Sequence, residues 1–247
     1  MTASKKNSTT KKDLPTKAKT TAQAPSADLA DLTDLADLTS RAMTVLERLY
    51  ARYPVRQTHL DFASPWELLI ATILAAQCTD ARVNQVTPVL FARWPGPAEL
   101  AGAAREDVEE VIRSTGFFRN KAHNIMETAK LLTSQHNGAV PASMEALTAL
   151  PGVARKTANV VLWSAFGLNE GIAVDTHVSR IAMRLGLTPD RDPLRTEKIL
   201  TGLFPRKDWG EVNHMMVWFG RQVCTARSPD CKACEMQDIC PQCPGGE

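Results

Sequence analysis

From residue 41 onward, apolar side chains recur at three- and four-residue spacing along most of the chain. Ala42, Val45, Leu46, Leu49, Tyr50 and Tyr53 fall on one stripe, the pattern of an amphipathic helix. Ser64-Pro65-Trp66-Glu67 forms a capping box with proline at the first helical position, predicting a helix that runs toward Gln77. Asp80 is placed to cap the next helix, and Pro88 inside that segment should kink it or delay its start. Further helices are predicted at 105–114, 118–136 (closed by Asn137-Gly138), 143–149, 155–166 (closed by Gly167), 176–185, 193–203 and 209–223. Ile172-Ala173-Val174 is the one extended apolar stretch, too short for a sheet, so the expected fold class is all-α.

The first 40 residues read differently. Residues 1–26 hold six lysines, one acid and many Ser, Thr, Ala and Pro, the composition of a disordered basic arm. From Ala27 to Ser40, Asp28, Asp31, Asp34 and Asp37 alternate with Leu29, Leu32, Leu35 and Leu38 at a strict period of three. Such a stripe drifts around a helix, so this stretch is expected to be an acidic low-complexity linker, at most transiently helical.

The 247 residues are enough for one large domain or two small ones. Apolar runs such as 68–76 fall well short of the roughly 20 residues that span a bilayer, and no apolar stretch follows the first lysines as a secretory signal requires. The expectation is a cytosolic or nuclear protein without membrane helices. Without its first 40 residues the chain carries 23 basic and 22 acidic side chains. Net charge is therefore no argument for a nucleic-acid partner, and only a clustered patch could supply one.

Candidate chemistry lies in three places. Leu150-Pro151-Gly152-Val153-Ala154-Arg155-Lys156-Thr157-Ala158-Asn159 joins two helical segments by a tight turn. Its backbone N–H groups at a helix N-terminus suit an anion, such as a nucleic-acid phosphate bound without sequence readout. An ordinary turn between packed helices is the alternative. Lys156 stands in the first turn beside Arg155, where a cationic neighbour and the positive helix end both disfavour the ammonium form, a setting for a nucleophilic amine; a phosphate-contacting or solvated lysine is the simpler reading. In Val174-Asp175-Thr176-His177, a short extended piece delivers Asp175 to a helix start, where an aspartate commonly serves as N-cap, and His177 reads as a hydrogen-bonded structural histidine. Third, five of six cysteines fall in the last 24 residues, and Cys224-x6-Cys231-x2-Cys234-x5-Cys240 can surround one zinc or iron–sulfur centre. Cys243 adds a rival C-x2-C, and Arg221, Arg227 and Lys232 put positive charge around the loop, for a second phosphate contact or for solubility.

Taken together, these stretches resemble the endonuclease III family of helix-hairpin-helix DNA glycosylases, from about residue 41 to 240. Ala76-Gln77-Cys78-Thr79-Asp80, Gly116-Phe117-Phe118-Arg119-Asn120-Lys121-Ala122 and Gln135-His136-Asn137-Gly138 support the match. The resemblance implies two helical domains with a DNA-binding cleft between them. One is a six-helix domain at 58–168 containing the helix-hairpin-helix. The other joins 41–57 to 169–247 and carries a structural [4Fe–4S] cluster on Cys224, Cys231, Cys234 and Cys240. It implies a monomer that binds double-stranded DNA with damaged pyrimidines or abasic sites, cytoplasmic and nucleoid-associated in a prokaryote, nuclear or organellar in a eukaryote. Excision of oxidised pyrimidines would be followed by cleavage 3′ to the abasic site. By the same resemblance Lys156 is the nucleophile and Asp175 the essential carboxylate. The hairpin residues Gly152, Val153, Ala154 and Arg155 contact DNA, and Gln77 and Phe117 fill the gap left by the flipped nucleotide.

Three departures bear on this. Ala154 replaces a glycine, which strains the hairpin only if φ there is positive. Thr148 replaces an acid of some relatives, and Cys78 stands where alanine is frequent. An adenine glycosylase or thymine-mismatch glycosylase of the superfamily would lack the lysine at 156, and an 8-oxoguanine glycosylase would lack the cysteines. A monofunctional glycosylase, or a metal-stapled DNA-binding module without catalysis, is the competing reading.

Overall fold

The computed structural model describes residues 29–54 and 58–243, with side chains from Asp34 onward. The basic arm expected at 1–26 lies outside the described residues. Among the described residues there are eleven α-helices, two short 3₁₀ turns and no strand.

Helix α1 (Leu29–Arg52) corrects the expectation of a linker: the helix runs back through most of the Asp-Leu repeat instead of starting after Ser40. Alanine and leucine are strong helix formers, and acids near an N-terminus oppose the macrodipole favourably. The period-three drift is nonetheless visible. Leu35 is left exposed, while Leu38 packs against the core with Ala42, Val45, Leu46 and Leu49.

Helix α2 (Pro65–Leu74) has the expected cap: Ser64 Oγ accepts from the Glu67 N–H at 3.2 Å, and Glu67 Oε2 reaches back to the Ala63 N–H at 2.7 Å. It ends three residues before Gln77, whose left-handed backbone (φ 53°) cannot continue it. Helix α3 (Asp80–Arg93) is capped by Thr79 rather than Asp80, and Pro88 does not delay its start. Helix α4 (Pro97–Ala101) was not foreseen, its five residues being too few to show a period. There follow α5 (Arg105–Ile112), a 3₁₀ turn (Arg113–Thr115), α6 (Phe118–Gln135) and α7 (Met144–Thr148). After these come α8 (Arg155–Phe166), α9 (Thr176–Arg184), α10 (Pro193–Leu203), a second 3₁₀ turn (Arg206–Asp208) and α11 (Trp209–Gln222).

Buried apolar side chains form two cores. The first draws on residues 60–162, with Leu68, Leu69, Ile70, Ala122, Ile125, Leu132 and Val161 fully buried. The second joins α1 to residues 172–236 through Val45, Leu49, Ile181, Leu200, Met215 and Phe219. Helices α8 and α11 pack together where the cores meet. Gly210 permits this approach, since a Cβ there would lie 2.1 Å from the Trp163 ring. Across the same boundary His59 stacks on Trp218 with ring centroids 3.8 Å apart, and Arg221 Nη2 pairs with Asp80 Oδ2 at 2.9 Å. No helix among the described residues is long and apolar enough to cross a membrane.

Candidate active site and metal centre

The turn between α7 and α8 is built by Gly152, whose φ of 77° is left-handed and whose missing Cβ admits Asn124 Nδ2, 2.8 Å from where that Cβ would lie. Val153 is buried as the turn's anchor, and Thr128 Oγ1 donates to the Pro151 carbonyl at 3.1 Å. Ala154 is the N-cap residue with φ −81° and ψ 167°, so alanine is unstrained in place of glycine. No side chain caps α8. The first-turn N–H groups of Arg155, Lys156 and Thr157 are thus open to an outside acceptor.

Lys156 is exposed and makes no ion pair or side-chain hydrogen bond among the described residues. Arg155 turns the other way. Its Nε donates to both oxygens of Glu197, at 3.0 and 2.8 Å, and that carboxylate holds the guanidinium above its ordinary range. Glu197, on α10 and 8% exposed, also accepts from Asn159 Nδ2 at 3.1 Å. A Cβ at Gly171 would fall 2.1 Å from Glu197 Oε1, so only glycine fits beside this cluster. The extended segment leading to Asp175 therefore starts against Asn159, one turn along α8 from Lys156.

Asp175 is the N-cap of α9: its Oδ1 accepts from the N–H groups of His177 at 2.8 Å and Val178 at 2.9 Å. Its other oxygen makes no hydrogen bond among the described residues, and no contact of hydrogen-bond length joins Asp175 to Lys156. The cap fixes the carboxylate and leaves one oxygen available for chemistry. His177 is half-buried against Gly220, with Nδ1 3.1 Å from Arg180 Nη2.

Gln77 and Phe117 are both exposed, and both are left-handed, at φ 53° and 48°. Phe117 is 65% exposed, unusual for a phenylalanine, which excludes a core role. Arg221 is engaged by Asp80. Sequence reasoning passed over Glu197 and His214, and gave no role to Asn159 and Lys121 although both stand in the quoted motifs. The signal available was a polar residue standing on a buried stripe, as Lys121 does beside Ala122, Ile125 and Leu132.

Beyond α11, Cys224, Cys231, Cys234, Cys240 and Cys243 line one cavity of about 180 Å³. Among the described residues no three His, Cys, Asp or Glu side chains approach closely enough to hold a single ion. Cysteine sulfurs are soft donors of the kind that hold zinc or an iron–sulfur centre. Burial first, with help from the neighbouring Cys224 and Cys240, pushes the Cys234 thiol up to about 11. A bound cationic centre is what turns such thiols into thiolates. Arg184 Nη1 donates to Cys224 Sγ at 3.3 Å and the Met236 N–H to Cys234 Sγ at 3.4 Å, donors of the kind that surround cluster sulfurs. Cys243 is buried, with its thiol directed at the Cys231 carbonyl at 3.8 Å.

Comparison with known proteins gives this architecture a family. Residues 70–206 match the HhH-GPD superfamily base excision DNA repair protein. The chain is 50% identical over 201 residues to endonuclease III of Synechocystis sp., covering 81% of this chain and 92% of that one. It is 41% identical to endonuclease III of Escherichia coli strain K12, covering 81% and 95%. Among solved structures, a trapped endonuclease III–DNA covalent intermediate superposes with a TM-score of 0.79 at 41% identity, over 83% of this chain and 96% of that one. A thermostable thymine-DNA glycosylase shares the fold, with a TM-score of 0.73 at 20% identity, over 86% and 98%. The chain belongs to the endonuclease III family of base excision DNA repair proteins, and with it to the DNA glycosylases that have AP lyase activity.

Proposed function

We propose that this protein excises oxidised or ring-damaged pyrimidines from double-stranded DNA and then breaks the strand 3′ to the abasic site, with Lys156 as nucleophile and Asp175 as its carboxylate partner. The observation that carries the reading is an unpaired, exposed Lys156 on the uncapped first turn of α8. Open N–H groups there hold a DNA phosphate, while the amine is left for the sugar.

The damaged nucleotide leaves the stack to reach the amine. The nitrogen lone pair of Lys156 forms a bond to C1′ as the glycosidic bond breaks, its electron pair leaving with the base, which takes up a proton. The free oxygen of Asp175 stabilises positive charge on the sugar and assists proton transfer. The sugar ring opens to a protonated Schiff base, the acidified 2′ hydrogen leaves as a proton, and the 3′ phosphate departs by β-elimination. Water then releases the lysine. Gln77 and Phe117 occupy the space vacated in the duplex, and Gly152, Val153 and Ala154 shape the phosphate-binding turn, with Arg155 holding it to Glu197. Cys224, Cys231, Cys234 and Cys240 hold a [4Fe–4S] cluster, which fixes the C-terminal loop as a structural staple outside the reaction. The protein acts as a monomer.

Strand cleavage and equilibrium binding on one abasic-site duplex test the assignment. Lys156→Gln is expected to abolish cleavage while keeping binding within a few-fold and lowering the salt slope by at most about one charge. Persistent cleavage by the variant would remove Lys156 from the mechanism.

A further inference from the structure

Gln77 and Phe117 lie 40 positions apart, yet they share a backbone state that L-residues avoid. With Asn137 they are the only non-glycine residues at positive φ among the described residues. Asn137 sits before Gly138 at the end of α6, where asparagine is well tolerated. Glutamine and phenylalanine have no such excuse. A left-handed conformation is disfavoured for each and persists only where neighbouring structure overrides the local preference.

One side chain connects the two turns. Lys121, on the first turn of α6, is 4% exposed, and its Nζ donates to the Leu74 carbonyl at 2.8 Å and to the Thr115 carbonyl at 2.7 Å. Leu74 ends α2, three residues before Gln77. Thr115 ends the 3₁₀ turn, two residues before Phe117. No carboxylate pairs with Lys121 among the described residues, so its ammonium is held by backbone carbonyls alone. Burying a cation this way is costly, and a methionine would fill the same slot more cheaply. What methionine lacks is the donor pair that fixes one turn against the other.

We infer that Lys121 is a positioning residue that sets the spacing and aim of Gln77 and Phe117, so that both side chains enter the duplex together. The inference rests on the proposed insertion of those two residues. It places the register of the insertion device in a buried lysine that touches neither DNA nor the reacting sugar.

The test is 2-aminopurine fluorescence in a duplex where the probe faces a tetrahydrofuran abasic analogue, read at saturating protein, alongside single-turnover excision of an oxidised pyrimidine. Gln77→Ala and Phe117→Ala are expected to lower the fluorescence rise. Lys121→Met should do the same, with excision down about tenfold, a loss on the scale of a misplaced positioning group. Adding Lys121→Met to the Gln77→Ala/Phe117→Ala double variant should cost no more than about twofold further, the non-additivity of residues acting as one unit. Lys121→Gln, which retains an amide donor, should fall between wild type and Lys121→Met, and serves if the methionine variant fails to fold. Full fluorescence and excision in a folded Lys121 variant, or losses that add independently, would overturn the inference while leaving insertion intact. If instead Gln77→Ala and Phe117→Ala leave the fluorescence rise unchanged, the insertion reading fails and the inference falls with it.

Discussion

Glu197 shows how much one buried carboxylate can organise beside Lys156, the proposed nucleophile. It takes Arg155 and Asn159 from α8, stands against a glycine that leaves it room, and sits on α10, the helix that gives Leu200 and Leu203 to the other core. Glu197→Ala strands the Asn159 amide and releases Arg155, so a loss of about 2–3 kcal/mol is expected, the scale of a buried group left without its partner. Glu197→Gln should lose less. Chemical denaturation of the three proteins checks this, and equal midpoints would refute it. Asp175 could be found from sequence because an aspartate following an extended apolar piece announces a helix cap. Glu197 could not, since it is a charged residue inside a helical pattern and only the fold shows that its face is buried; Lys121 left the faint signal of one charge on an apolar stripe.

At the scale of elements, the helices after residue 100 match their patterns to within one or two residues, because capping residues and glycines mark their ends. The errors fall where local preference and pattern disagree. In α1, helix propensity outweighed a drifting leucine period; in α3, the first turn formed upstream of Pro88; α4 was too short to carry a signal. The cysteine loop is the opposite case. It spans 17 residues from Cys224 to Cys240 with little regular structure, and under the proposed function a bound cluster is what orders it. Protein purified anaerobically is expected to be coloured and to contain four irons per chain. Cys234→Ser should lose the iron and the fixed loop, and Cys243→Ser should keep both. Colourless wild-type protein containing zinc would defeat the cluster assignment.

For the whole molecule, the joint between the cores carries a pH dependence. His214 on α11 faces Ser164 of α8 across the boundary, with Nε2 and Oγ 3.4 Å apart. Burial, and then the nearby His59, push its imidazole down to about 4. The unfolded chain, at about 6.5, takes the proton first, so stability falls as pH drops through the interval between these values and is regained above it. Between pH 7 and pH 4.5 this one group should cost about 2–3 kcal/mol. Unfolding of wild type and His214→Gln at both pH values measures it, and an equal loss in the two proteins would contradict it. This joint was invisible in the sequence, because it pairs residues from four separate stretches. The candidate site was better advertised, with the turn before α8 and the approach to α9 each marked by a compact motif.

The most direct test of the account is borohydride trapping of the purified protein on a duplex with a single abasic site, with Lys156→Gln alongside. A covalent protein–DNA adduct formed by wild type and absent from the variant is the predicted result. An adduct that survives the substitution, or none from folded, iron-loaded wild type, would contradict Schiff-base chemistry at Lys156.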